Sequence, residues 1–599
     1  QVVDKMQAVA ARSRHHIACA IELSVGRTTP FLSSRAVNLN GVAFCTSRSL
    51  SNSAAATTAT SSSSAAGASV AKPRGVLFRV LRGLGVAGVV GGVALAVQAE
   101  RDEGTRRQLV FWRVVLPIYA HYLFVQYKVK GLDDEAQNEA YNKLHDKYAP
   151  VVRDAVLEQR GFYLKVSQIV STADYFLPPQ YLKWCKQMQD QAPTQLAPGE
   201  AEAIVEKSLG KPLRQVFSEF DPVPCGSASI GQVHRAKLRD TGEEVAVKVQ
   251  APNIERKFRA DIKTIKDFCS FAMPQHVPAM KEIEEQFKTE FDYMGEAHNL
   301  IEVHDNVIPL FHEKVVIPKP FLNLCSHDVL VMEFLRGKPL VEGIKESMRA
   351  VAEKQGRSYE DLEKEHLEKI RLHKFQDIDD EQRKIKKYQH ILDLRRSLVN
   401  FGTTIYNGTL GWLFGSIKYE EETHLLNLAE IIRTVAKVHG HEILLDGVFN
   451  CDPHPGNIML LEDGRLGLID LGQCKRLPQR ERLAYAKILI ALDNQDKEEV
   501  VKLLQSVGNI SKYGNVDIQY RLAKFWHDSN SSEVFGNMNL QEFMEYCEGE
   551  DPVVSLNDHL IMPGRVSVLL RGMSNAFGID LSMTKIWRPI AEQALERYK

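Results

Sequence analysis

The run Asn450-Cys451-Asp452-Pro453-His454-Pro455-Gly456-Asn457 constrains this chain more than any other segment. An aspartate is followed five residues later by an asparagine, and eighteen residues past Asp452 come Asp470-Leu471-Gly472. Between them, Ile458–Leu461 and Leu466–Ile469 flank the turn Glu462-Asp463-Gly464, which suits a β-hairpin. Each of these residues alone is usually a turn or a cap. Together, at this spacing, they point to phosphoryl chemistry, which needs metal on the phosphates and a carboxylate near the attacking oxygen. Asn457 and Asp470 can offer hard oxygens to Mg²⁺ from either side of the hairpin, and Asp452 can orient a nucleophile or take its proton.

A second signal lies upstream. Glu244–Gln250 alternates as a strand with Lys248 inside it, Val245, Val247 and Val249 on one face and Ala246, Lys248 and Gln250 on the other. A lysine on a V-A-x-K strand pairs with ATP phosphates and with a glutamate on the next helix. The small-residue loop before it, Pro224 to His234, sits where phosphates are cradled, and it contributes Ser227, Ala228, Ser229, Ile230 and Gln232 as nucleotide contacts. The partner glutamate is expected within the helical stretch Lys281–Leu300, and Glu296 is the choice. Val329–Phe334 reads as an apolar strand ending in a hinge, where backbone groups of Glu333 and Phe334 can hold the adenine edge.

The rest of the chain supplies context. At 599 residues it needs two or three folded parts plus tails. Lys+Arg 75 against Asp+Glu 76 gives no basic excess to argue for a nucleic-acid partner. The nine cysteines form no CxxC pair and read as free thiols in a reducing compartment. From Met6, a candidate initiator, to Gly75 the only acidic residue is Glu22, among recurring Arg and Ser: a transit-peptide composition. Gly83–Ala99 is uncharged and about 25 Å long as a helix, at the short end for a bilayer span. Its Gly88 and Gly92 form a GxxxG pair that permits a homodimer. Leu109–Tyr127, which contains Arg113, Pro117 and His121, reads as an interfacial or core helix rather than a span. Ser347–Arg396 is a charged helical insertion, and Phe401–Ile417 is an apolar, Gly-containing stretch that suits a membrane, a partner or simple packing.

Taken together, these residues closely resemble the UbiB / aarF-domain (ADCK-type) atypical kinase-like family, from about Ala149 to about Gly578 with one interruption. Lys165-Val166-Ser167-Gln168 looks like the family's KxGQ motif, Ser227–His234 its Ala-rich nucleotide loop, Glu290-Phe291-Asp292 its ExD motif, and Asp452–Asn457 matches its catalytic loop. Two departures stand out: Ser167 replaces the motif glycine, and Cys225, Gly226 and Ser227 replace alanines of the coenzyme-Q branch.

The resemblance implies a two-lobed, protein-kinase-like α+β fold with a helical N-terminal extension, a helical insertion and a helical C-terminal region. It implies ATP and Mg²⁺ as cofactors and places Lys165, Gln168, Glu290 and Asp292 near the nucleotide, where they block a protein substrate. The expected parts are a transit-like segment (1–75), a membrane-associated helical segment (76–130), the KxGQ-type extension (131–220), an N-lobe (221–338), the insertion (339–423) and a C-lobe (424–599). Catalysis would then rest on Asp452, Lys248, Glu296, Lys165 and Gln168, with Asn457 and Asp470 on the metal. The implied role is an atypical kinase or ATPase of an organelle membrane, acting in coenzyme Q or other lipid metabolism with a membrane lipid or lipid precursor as partner. The alternative is a nucleotide-binding pseudokinase scaffold. The expected location is the mitochondrion, at its inner membrane, with the plastid as the alternative.

Overall fold

The computed structural model describes residues 97–599 apart from 172–177, 191–195, 228–229, 273–276, 278–279, 282–283, 285–286, 355, 372–374, 410–415, 421–425, 537, 539 and 599. The transit-like segment and nearly all of Gly83–Ala99 therefore lie outside the described residues.

Five helices form the extension: α1 (Glu103–Lys128), α2 (Asp134–Gln159), α3 (Gly161–Ser171), α4 (Pro179–Asp190) and α5 (Glu200–Leu209). Aspartates start the first two, since Asp102 accepts from the Thr105 N–H at 2.8 Å and Asp133 from the Ala136 N–H at 2.8 Å. Among the described residues α1 is the one helix long and apolar enough to cross a membrane. It is also tied to the N-lobe: Arg107, 7% exposed, grips the fully buried Asp261 with two hydrogen bonds of 2.7 and 2.6 Å. So 103–128, expected to be a separate membrane-associated segment, packs as the first helix of the extension.

The N-lobe sheet is antiparallel. β1 (Phe217–Phe220), β3 (Gly231–Leu238) and β4 (Glu244–Gln250) run side by side, with β2 (Gly226–Ser227) paired on β3. After α6 (Ile254–Ala272), α7 (Tyr293–Phe311) and the short β5 (Val315–Val316), strand β6 (Val329–Glu333) pairs with β4 and completes the sheet. The extension thus ends before β1, not at 220. Both faces of β4 are buried, because α5 lies across β4 and β6 while the lysine face looks toward α7. Over the stretch expected to be helical, 281–300, the described residues 281, 284 and 287 are helical, a short 3₁₀ turn follows at Lys288–Phe291, and α7, which Asp292 caps, completes it.

β7 (Gly337–Pro339) crosses to the C-lobe and leads into α8 (Leu340–Lys354) and α9 (Tyr359–Arg371). Leu340 and Ile344 are core residues, so α8 belongs to the lobe rather than to the insertion expected from 339. Strand β8 (Gln376–Asp377) and the long α10 (Ile378–Thr409) lie within the span expected as the insertion, and α11 (Leu428–His441) leads to the catalytic loop. There follow β9 (Val448–Asn450), β10 (Ile458–Leu461), β11 (Leu466–Leu468) and β12 (Cys474–Arg476). β10 and β11 form the expected hairpin, Gly464 supplying the positive φ (+84°) of its turn. The helices α12 (Gln479–Asp493), α13 (Lys497–Ser506), α14 (Val516–His527), α15 (Leu540–Glu550), α16 (Asp558–Ala576) and α17 (Met583–Arg597) finish the lobe. One apolar cluster runs from Phe162 through Val247 and Val435 to Trp587, so extension and both lobes share a core. The fold is two-lobed and kinase-like, as expected.

Candidate active site

Lys248 sits in the middle of the sheet, between Val233 of β3 and Leu330 of β6, and is 6% exposed. A charge buried there requires partners. Its Nζ donates to Glu296 Oε1 and Oε2 at 2.9 and 3.0 Å and to Asp470 Oδ2 at 3.1 Å, and it lies 5.0 Å from the Tyr293 ring centroid. Burial works against the ammonium, but Asp470 and Glu296 outweigh it and hold Lys248 well above the usual lysine range. Burial pushes Glu296, 3% exposed, up to about 7, with Lys248 pulling the other way. The Asp292 side chain, accepting from the Gly295 N–H at 3.0 Å, starts α7 one turn before Glu296 and so fixes where that carboxylate stands.

The catalytic loop is folded by its own amides. Asn450, the last residue of β9, takes the Asp452 N–H on Oδ1 at 3.0 Å and gives its Nδ2–H to the Asp470 carbonyl at 3.2 Å. The Cys451 N–H reaches the Gln473 carbonyl at 2.9 Å, extending the β9–β12 ladder. Asn457 Nδ2 donates to the Asp452 carbonyl at 3.4 Å, and the Ile469 N–H donates to the Asn457 carbonyl at 3.1 Å. Asn457 and Asp470 thereby stand beside each other at the open end of the hairpin. The Gly472 N–H binds Asp470 Oδ1 at 3.1 Å and so orients that carboxylate toward Lys248. Behind the loop α11 continues as a π-turn, Glu442–Asp446, whose Glu442 Oε2 accepts the Asn450 N–H at 3.2 Å. Burial pushes Glu442 up to about 8.

The structure brings together Lys248, Glu296, Asp470, Asn457 and Asp452. Glu290 stands beside them, its Oε1 accepting from Gln473 Nε2. Asp292 is spent as a cap and is exposed, so its expected contact with nucleotide competes with the helix start. Lys165 and Gln168 lie on α3; an aromatic chain from Phe162 to Phe258 (4.7 Å) to Phe291 (5.1 Å) ties that helix to the Glu290 segment. Ser167 is helical, with Oγ donating to the Leu164 carbonyl at 2.7 Å, so serine replaces glycine without backbone strain. Ser227 pairs with Gln232 across β2–β3, and Ala228 and Ser229 lie outside the described residues. Ile230 and Gln232 are buried, and Gln232 turns toward His234 (3.3 Å). Gly231 is dictated by space: a Cβ there would lie 2.1 Å from the Val249 carbonyl oxygen. At the hinge the N–H groups are taken within the protein. The Glu333 N–H donates to the Lys319 carbonyl (2.9 Å) and the Phe334 N–H to the Glu244 carbonyl (3.2 Å), so the backbone groups expected to meet an adenine edge there are carbonyls rather than these N–H donors.

Sequence reasoning missed Arg565. This α16 residue is 7% exposed, its Nη2 is 3.7 Å from Asp452 Oδ1, and its Nε and Nη1 have no hydrogen-bond partner. Nothing in the sequence pairs a helix so far downstream with the catalytic loop. Asn299, whose Nδ2 donates to the Leu471 carbonyl at 3.0 Å, was equally hidden one turn after Glu296.

Residues 187–375 and 414–504 match the family model of the ABC1 atypical kinase-like domain, and that match holds the lysine strand, the Glu296 helix and the catalytic loop. This chain belongs to the UbiB/aarF family. Family resemblance extends to an uncharacterised protein of Synechocystis sp., 27% identical over 66% of this chain and 83% of its own length. AarF domain-containing protein kinase 1 of Gallus gallus is 25% identical over 61% of this chain and 57% of its own length. Protein ACTIVITY OF BC1 COMPLEX KINASE 3, chloroplastic, of Arabidopsis thaliana is 26% identical over 57% of this chain and 38% of its own length. The matched region thus spans between about two fifths and four fifths of these UbiB/aarF relatives. Residues 376–413, which hold β8 and α10, fall between the two matched stretches.

Proposed function

We propose that this UbiB/aarF member is an atypical kinase or ATPase that binds Mg-ATP at the Lys248–Asp470 cleft and acts in organelle-membrane lipid metabolism, coenzyme Q synthesis included. The observation that carries the reading is the shared Nζ of Lys248, bonded at once to Glu296 and Asp470 beside Asn457 and Asp452. The donor set fits the cofactor. No cluster of three or more His, Cys, Asp or Glu able to hold a metal unaided occurs among the described residues. One carboxylate and one amide oxygen, completed by phosphate oxygens, is what Mg²⁺ accepts. When bound, the ion neutralises charge on the phosphates.

The chain's own residues then divide the work. Glu296 holds Lys248 extended toward the cleft, so the ammonium can meet phosphate oxygens without searching. Asp470 and Asn457 present oxygens on one side of the hairpin, and Asp452 faces the nucleophile, its carboxylate steadied by Arg565. Asn450 keeps Asp452 and Asp470 in register.

The acceptor is read as a membrane lipid or lipid precursor. The relative named chloroplastic supports a plastid location beside the mitochondrial one expected from the transit-like N-terminus. A dimer through Gly88 and Gly92 remains part of the proposal and involves residues outside those described. The test is ATP hydrolysis by the intact chain with Mg²⁺, with and without anionic liposomes, beside Asp452→Asn. Liposome-stimulated turnover lost in the variant supports the reading. Tight nucleotide binding without turnover in any condition would instead identify a pseudokinase scaffold.

A further inference from the structure

The C-lobe holds a cavity of about 110 Å³ whose wall shares no residue with the Lys248–Asp470 cleft. It is enclosed by α14, α15, the first turns of α16, and the paired strands β13 (Ile510–Ser511) and β14 (Val553–Ser555). At helical spacing α14 contributes Gln519, Leu522 and Trp526 to this wall, and α15 contributes Met544 and Glu548. The capacity is that of about one ring, since an apolar cavity of ~150 Å³ is enough to take up benzene.

Most polar groups on this wall serve the fold. Asp551, fully buried, accepts from Ser511 Oγ and from the Tyr513 and Asn515 N–H groups at 2.6, 2.6 and 2.7 Å. Asn557 donates to the Val507 carbonyl at 2.8 Å and accepts the His559 N–H at 2.8 Å. His527 meets the Tyr485 hydroxyl at 3.3 Å and is neutral, because burial and then Arg571 hold it down to about 3. Two side chains are left over. Gln519 is 8% exposed, and its Nε2 is buried with no hydrogen-bond partner. A buried amide donor left unpaired is destabilising, and a molecule that brings an acceptor relieves it. Glu548 is half-buried, and no cation or hydrogen-bond donor meets it among the described residues. Burial pushes its carboxyl up to about 7.

The geometry points to a binding site for a compact apolar molecule that carries one amine and one oxygen acceptor. Charge selects the amine. The wall holds the carboxylates of Glu548 and Asp551 and no lysine or arginine. An anion is repelled there, and a cation is drawn in more strongly than in water because the surroundings are apolar. The unpaired Nε2 of Gln519 selects the oxygen, as a donor needs an acceptor. A plain hydrocarbon answers neither group, and an alcohol without the amine leaves the Glu548 carboxylate without a counter-charge. Trp526 and Met544 suit an aromatic body, since ring edges and thioether sulfur both pack well against a ring.

The test is titration of phenylethanolamine into the full chain at pH 8, where Glu548 is ionised, followed by ligand-observed NMR. Phenethylamine, which lacks the oxygen, and mandelate, which carries a carboxylate in place of the ammonium, are titrated beside it. Saturable binding of phenylethanolamine is expected, weakened about tenfold or more in Glu548→Gln. In Gln519→Met it weakens severalfold, whereas phenethylamine binds that variant and the wild type alike. Mandelate shows no saturable binding. Glu548 is partly exposed and Gln519 Nε2 has no partner to lose, so thermal melts of both variants are expected to match the wild type. Equal affinity of the wild type and Glu548→Gln for phenylethanolamine overturns the inference, as does mandelate binding as tightly as the amine. Absence of saturable binding to the wild type overturns it too. Displacement of the amine by Mg-ATP would place it in the Lys248–Asp470 cleft and likewise overturns it.

Discussion

At the scale of single residues the site turns on a conflict between burial and charge. Glu296 is ionised at pH 8 and takes a proton as pH falls through about 7, because its burial outweighs the pull of Lys248. Protonation releases the ammonium that Glu296 holds, so nucleotide turnover is expected to fall on the acid side of pH 7. In Glu296→Gln turnover is lower at pH 8 and flat across the same range; a pH–rate profile of both proteins checks this. For stability the sign is reversed. A carboxyl raised in the folded state contributes stability below about 4.5 that is lost as pH rises through about 7, and the glutamine variant lacks that slope. That Lys248, Asp452, Asn457 and Asp470 come together was legible because the proposed phosphoryl chemistry restricts both residue type and spacing. Arg565 and Asn299 were not, because their role is set by which helix packs behind the loop, and neither composition nor periodicity encodes that.

At the scale of elements, what was legible followed local chemistry. The β10–β11 hairpin and the β4 strand announce themselves through turn residues and alternation. The edges of the parts did not, because tertiary packing decides them: β1 joins the sheet from within the expected extension, and α8 joins the lobe core from within the expected insertion. At the hinge, likewise, sheet and loop partners take the N–H groups of Glu333 and Phe334, which the sequence does not announce. The extension is held to the N-lobe by the Arg107–Asp261 pair, with burial pushing Asp261 up to about 6 against the pull of Arg107. Arg107→Leu strands a buried carboxylate and is expected to destabilise by about 3–5 kcal/mol, as removal of one partner of a buried pair does. Pairing it with Asp261→Leu should recover most of that loss. Denaturant unfolding of the single and double variants, with α1 exchange as a local readout, tests whether extension and lobe unfold together.

One apolar core runs through the extension and both lobes beside a smaller cluster around Phe525 and Phe543, and neutral histidines are buried within this packing. Burial and then the nearby Arg571 hold His527 down to about 3; burial alone holds His439 down to about 4. A histidine depressed in the folded state contributes stability above its unfolded value near 6.5 that is lost as pH falls toward the folded value. Between pH 6.5 and 4 the wild type is therefore expected to lose stability relative to His527→Asn, a difference readable in paired thermal melts. The shared core also explains why the cleft can be rigid. β4, α7 and the β10–β11 hairpin belong to different parts of the chain, yet their side chains meet at one ammonium. The most direct test of that convergence is calorimetric titration of Mg-ATP into the intact chain and into Asp470→Asn. Mg²⁺-dependent binding to the wild type that weakens about tenfold or more (~1.4 kcal/mol) in the variant is the predicted result. Equal affinity in both proteins, or binding indifferent to Mg²⁺, would contradict the assignment of Asp470 and Lys248 to a metal–nucleotide site.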